Sequence, residues 1–118
     1  MKKKIPLAKK KCRPCEGGVP RLSGKSLLKL VRELGPWRIS SNARSIECDW
    51  MMKDFVSAVN FINKVAKLAE KEDHHPDIHL TGYRKIKLKL STHAIGGLSE
   101  NDFILAAKID RLPKRLKS

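Results

Sequence analysis

The sequence predicts an α+β fold: a four-stranded antiparallel sheet with three helices packed on one face, in the order α-β-β-α-β-β-α. Two stretches carry the prediction. Across residues 54–71, Phe55, Ala58, Val59, Ile62, Ala66 and Ala69 recur at helical spacing, with Phe61, Val65 and Leu68 widening the stripe. Further on, Ile86, Leu88 and Leu90 alternate with Lys85, Lys87 and Lys89, the pattern of a strand with one buried and one solvated face. Short strands with a lysine-rich outer side need apolar cover on the other side, which amphipathic helices supply.

The remaining elements follow in order. Residues 1–22 mix lysines with Pro6, Pro14, Gly17, Gly18 and Pro20 without periodicity and read as a basic, flexible tail. Ser23 is placed to cap a first helix with Leu27, Leu30, Val31 and Leu34 on one stripe, stopped by Gly35-Pro36. "WRIS" and "RSIECDW", joined by Ser41-Asn42-Ala43, read as a hairpin with Ile46, Cys48 and Trp50 inward. After the long helix, "DIHLTGYRKIKLKL" turns near Gly82. Ser99 and Asp102 have capping-box spacing and open a third helix through Phe103, Ala106 and Ala107 that ends before Pro113. The expected organisation is therefore a tail at 1–22, one domain at 23–112 and a basic tail at 113–118.

With 118 residues, of which 41% are hydrophobic, the chain has enough apolar material for one modest core. No apolar run approaches the roughly 20 residues that span a bilayer, and "MKKKIPLAKKKC" lacks an apolar signal core, so no membrane association and a cytoplasmic location are expected, with nucleus and organelle left open. Three cysteines, Cys12, Cys15 and Cys48, are too few for a disulfide framework and fit a reducing compartment. Of the formal charge of +14, +7 lies in residues 1–21 and +4 in residues 108–118. Charge confined to the ends, without interleaved aromatics, argues against specific nucleic-acid binding.

The chemistry concentrates in "EDHHPDIH", residues 72–79. Pro76 disfavours the helical conformation at His75, so the long helix must end near His74 and His75 and the chain must leave it extended. A hairpin turning near Gly82 returns His93 towards residues 72–75. Glu70, Glu72, Asp73 and the helix C-terminus favour imidazolium, while neighbouring imidazolium ions oppose one another. Mixed protonation near neutrality suits a reaction that needs one general acid and one general base. A satisfied polar loop remains open on these residues alone. A zinc site built from His75, His79, Cys12 and Cys15 is disfavoured, because about sixty residues separate the pairs and an extended 75–79 segment does not put both histidines on one helical face. Cys48 reads as a core residue. Phosphate-binding loops, nucleophile elbows and dinucleotide fingerprints are missing.

"AEKEDHHPDIHL", Tyr83, "STH" at 91–93 and "GLSENDF" at 97–103 together resemble the pterin-4a-carbinolamine dehydratases over most of residues 23–110. The resemblance implies a small α+β subunit, assembled as a homodimer or homotetramer. It would remove water from 4a-hydroxytetrahydropterin to give quinonoid dihydropterin in tetrahydrobiopterin recycling, next to an aromatic amino acid hydroxylase. No metal or cofactor is implied. Carried over, His74, His75 and His93 would be catalytic, Glu70 a supporting carboxylate at the substrate, and Asp73, Pro76, Ser91, Thr92 and Ala94 part of the pterin pocket. Trp37 could stack on the pterin ring or be a core residue; Tyr83 and Asp102 could equally be a turn residue and a helix cap. The resemblance also implies an alternative, a non-enzymatic binding protein acting as a dimerisation cofactor or assembly factor.

Overall fold

A computed structural model describes residues 6–12 and 20–118. The expectations for residues 1–5 and 13–19, Cys15 among them, lie outside the described residues. The elements are α1 (Lys25–Val31), β1 (Arg38–Ile39), β2 (Ile46–Met51), α2 (Phe55–Glu72), β3 (Asp77–Thr81), β4 (Lys85–Leu90) and α3 (Glu100–Asp110). The four strands form one antiparallel sheet in the order β1-β2-β4-β3. The predicted α+β architecture is thus the observed one.

Period-two burial decides which side of the sheet the helices cover. Ile46, Cys48 and Trp50 on β2 and Ile86, Leu88 and Leu90 on β4 are buried in one cluster with Leu27 of α1, Ala58, Phe61 and Val65 of α2, and Phe103 and Ile104 of α3. On the other face, the register sets Lys89 between Glu47 and Asp77, and Lys87 between Asp49 and His79. Opposite charges directly across strands stabilise by a few tenths of a kcal/mol up to ~1 kcal/mol each.

Helix ends follow the capping rules where a side chain can reach. Asp54 accepts the Ser57 N–H at 2.8 Å at the start of α2, and Ser99 with Asp102 closes the predicted capping box of α3. For α1 the expectation is corrected. Its N-cap is Gly24 at φ 55°, without a side-chain cap bond, because only a residue without Cβ adopts that conformation cheaply. The stripe of α2 is also rotated from the predicted one: Ala58, Phe61, Val65 and Ala69 are buried, while Phe55 is 52% exposed.

Where they are described, residues of both expected tails make contacts with the domain. Leu7 is 4% exposed within a short 3-10 turn, Leu7–Lys9, that packs on α3, and Lys10 pairs with Glu100 at 3.4 Å. Burying one leucine is worth ~2–3 kcal/mol, whereas ordering each residue costs ~1–2 kcal/mol. Leu7 alone cannot hold this segment, so its polar contacts matter. At the other end, Lys53 N–H donates to Arg115 O and Lys117 N–H to Met51 O, each at 2.9 Å, while Leu116 bridges Met52. Lys114 donates to the carbonyls of Ile109, Asp110 and Leu112, with its ammonium 5.7 Å from the Trp50 ring centroid and 5.3 Å from that of Phe61. Residues 113–118 are basic, but they are fastened across the end of β2.

Candidate active site

The tandem histidines are placed by how α2 stops. Asp73 takes the left-handed conformation (φ 53°, ψ 41°), its N–H still donating to Ala69 O. A short polar residue tolerates this turn better than most. From there Pro76 keeps the chain extended, so alternate residues point in opposite directions. His74 lands inside and His75 outside: their side chains are 6% and 55% exposed.

Inside, His74 Nε2 lies 2.6 Å from Asp102 Oδ1, and the Asp102 carboxylate is fully buried. Its second oxygen accepts the Thr92 hydroxyl at 2.8 Å and the Ser99 N–H at 3.0 Å. Thr92 Oγ1 and Ser99 Oγ share a further bond at 2.8 Å. A buried carboxylate without partners would be strongly destabilising, and here three groups satisfy it. Among the described residues, no buried side-chain nitrogen or oxygen lacks a partner.

This network ties the third histidine's segment to the first two. Thr92 is bonded to the carboxylate that holds His74, and His93 is the next residue, opening a 3-10 turn His93–Ile95. Thr92 and Gly97 close the base of that turn, with Thr92 N–H donating to Gly97 O at 2.8 Å. His93 and Ala94 are exposed on it and Ser91 is half-buried.

Outside, His75 Nε2 meets Glu70 Oε2 at 2.5 Å across the last turn of α2. Glu70 is 77% exposed, so this pair orients the ring while contributing at most ~1 kcal/mol to stability. The two histidines therefore have opposite characters. One is fixed by a buried carboxylate; the other is held by a solvated carboxylate and open to water.

The other candidate residues take different places. Trp37 donates its indole N–H to Asp110 at 2.8 Å and packs edge-on against Trp50, which makes it a core residue. Tyr83 is 58% exposed at the β3–β4 turn, the far end of the hairpin from the histidines. Thr92 is 1% exposed with its hydroxyl committed to Asp102 and Ser99, so its side chain positions neighbours. His79 is on the outer face opposite Lys87, roughly 13 Å of extended chain from His75. Among the described residues, no group of three or more His, Cys, Asp and Glu is placed to hold a metal ion. Burial pushes the Cys48 thiol up to about 12, helped by Asp110 and Asp49, so it stays protonated in the core. A cavity of about 420 Å³ between the first turns of α2 and Pro113–Arg115 contains no residue of the histidine cluster.

Asp102 is the residue whose role sequence reasoning left open. The capping-box spacing was the signal, and the structure gives that carboxylate a second task, holding His74.

Comparison with known proteins points the same way. The family model described as pterin 4 alpha carbinolamine dehydratase matches residues 20–112. A Nitrosospira multiformis protein bearing a provisional pterin-4-alpha-carbinolamine dehydratase name is 47% identical over 90% of this chain and 91% of its own. The Arabidopsis thaliana protein named pterin-4-alpha-carbinolamine dehydratase 2, mitochondrial, is 41% identical over 90% of this chain and 58% of its own. A crystal structure from Brucella melitensis, titled transcriptional coactivator/pterin dehydratase, superposes with a TM-score of 0.72 at 31% identity, covering 76% of this chain and 95% of that one. A pterin dehydratase-like protein described as a RuBisCO assembly factor shares the fold at TM-score 0.54 and 21% identity, covering 64% of this chain and 87% of that one. No helix among the described residues is long and apolar enough to cross a membrane.

Proposed function

Because this chain belongs to the pterin 4 alpha carbinolamine dehydratase family, we propose that it dehydrates 4a-hydroxytetrahydropterin to quinonoid dihydropterin by histidine acid/base catalysis. The observation that carries this reading is the division of labour between His74, locked to buried Asp102, and His75, exposed beside Glu70.

The chemistry needs two proton transfers. The C4a hydroxyl takes a proton and leaves as water, breaking the C4a–O bond. N5 gives up its proton, and the nitrogen electron pair closes the C=N bond. One imidazole donates and another accepts, so the pair ends the cycle one proton exchanged and can be reset by solvent. His75 is the principal exchanging group, and His74 and His93 share the remaining acid and base roles. Glu70 supports His75, and Asp73, Pro76, Ser91 and Ala94 border the substrate. Thr92 and Asp102 act by positioning.

Stopped-flow absorbance with the carbinolamine tests the proposal. His75→Ala should slow dehydration by about 10²–10⁴-fold, the usual contribution of a positioned acid/base group; rates equal to wild type would end it. The same reading puts the chain in the cytoplasm, recycling tetrahydrobiopterin for an aromatic amino acid hydroxylase and working as a homodimer or homotetramer. The exposed Phe55 and Val56 at the start of α2 offer apolar surface for self-association. That surface also favours the second reading, a binding protein that takes a partner chain on α2. A pull-down that recovers a specific protein from a variant devoid of dehydratase activity would favour it.

A further inference from the structure

Glu72 faces inward two residues before His74 and is 8% exposed, yet it touches neither histidine in the bonds described above. Its carboxylate instead joins three parts of the chain. Oε1 accepts the Cys12 N–H at 3.0 Å, and Oε2 pairs with Lys108 Nζ of α3 at 3.1 Å. The Cys12 thiol lies 3.6 Å from the Asn101 carbonyl oxygen, and Lys10 pairs with Glu100. The N-terminal segment thus meets Glu72, two positions from His74, and Asn101, one position from Asp102.

This placement has a mechanical meaning. The His74–Asp102 bond joins the end of α2 to the start of α3, so its length and direction depend on how those two helix ends sit. Lys108 and Cys12 tie the same ends together through Glu72. Burial pushes the Glu72 carboxyl up, but the Cys12 N–H and the Lys108 ammonium outweigh it and hold it below the usual carboxylate range. The group is therefore an anion in the folded protein, able to hold both partners.

We propose that Glu72 is a positioning residue: clasped by the Cys12 backbone and Lys108, it fixes the end of α2 against α3 and so sets the His74–Asp102 hydrogen bond. Its consequence for turnover rests on the dehydratase reading, whereas its consequence for His74 does not. Segment 6–12 is then part of the site's framework.

The test uses the full chain, with histidine side chains labelled with nitrogen-15, alongside dehydration kinetics. In Glu72→Ala the His74 ring resonances should shift while those of His79, on the outer sheet face, stay put. The kcat should fall about tenfold with KM changed less than about twofold, because small misplacements of a reacting group act on turnover. Glu72→Gln keeps an acceptor for the Cys12 N–H and should recover most of both signals. Should Glu72→Ala fail to fold, Leu7→Ala loosens the same segment without touching the carboxylate and should move His74 in the same direction. Unchanged His74 resonances in a folded variant overturn the proposal, as does a loss confined to KM. Wild-type protein without dehydratase activity would remove the catalytic reading and leave the His74 resonances to decide the clasp.

Discussion

His74 and His75 are adjacent and chemically identical, yet they live in different solvents. His74 belongs to a buried set with Asp102, Thr92 and Ser99 in which every polar group has a partner. His75 pairs with a carboxylate that water reaches. Removing a member of the first set leaves buried groups unsatisfied and is read in stability. Removing the second leaves nothing stranded and is read in rate. Adjacent residues can thus differ in how much of the fold rests on them, and mutation can separate a loss of stability from a loss of rate.

The largest expected effect is on the outside. His75→Ala should cost dehydration about 10²–10⁴-fold while shifting stability by no more than ~0.5 kcal/mol, as exposed substitutions do; denaturant melts beside kinetics check both. Next comes the inside. Asp102→Ala removes the buried acceptor shared by the Thr92 hydroxyl, the Ser99 N–H and His74 Nε2, and should destabilise by ~3–5 kcal/mol. A melt within 1 kcal/mol of wild type would erase the contrast between the two histidines. Thr92→Val keeps the shape but removes one donor to Asp102, and should cost ~1–2 kcal/mol, with a smaller loss of rate than Asp102→Ala.

The smallest effect concerns acid. The Glu72 carboxyl is held below its ordinary value of 4.5, so it contributes stability that is fully present above that value and is lost as pH falls through the lower, folded one. Glu72→Gln should therefore flatten the decline in melting temperature below about pH 4.5 relative to wild type. An unchanged slope would mean that the carboxylate has no such pH-linked stake in the fold.

Much of this was legible in the sequence. The lysine alternation on β4, the helical repeat of α2 and the Ser99–Asp102 spacing each reflect local periodicity, and each element formed where that periodicity lies. The tandem histidines, Pro76 and the return of the hairpin were legible as well. What periodicity could not show was which face α2 turns inward, since Phe55 and Phe61 are equally apolar and only tertiary contact separates them. Nor could it reveal the docking of residues 6–12, where one buried leucine and backbone bonds carry no repeat. The second task of Asp102 stayed open for a different reason: capping already accounts for the residue, and nothing local to it points to His74.

The left-handed Asp73 fixes parity for everything downstream. In an extended chain, inward and outward positions alternate residue by residue, so one amino acid inserted between Asp73 and His74 would move His75 away from water and hand the Asp102 side to a different ring. Chain length over this short interval is therefore as much a determinant of the histidine cluster as the identity of its side chains.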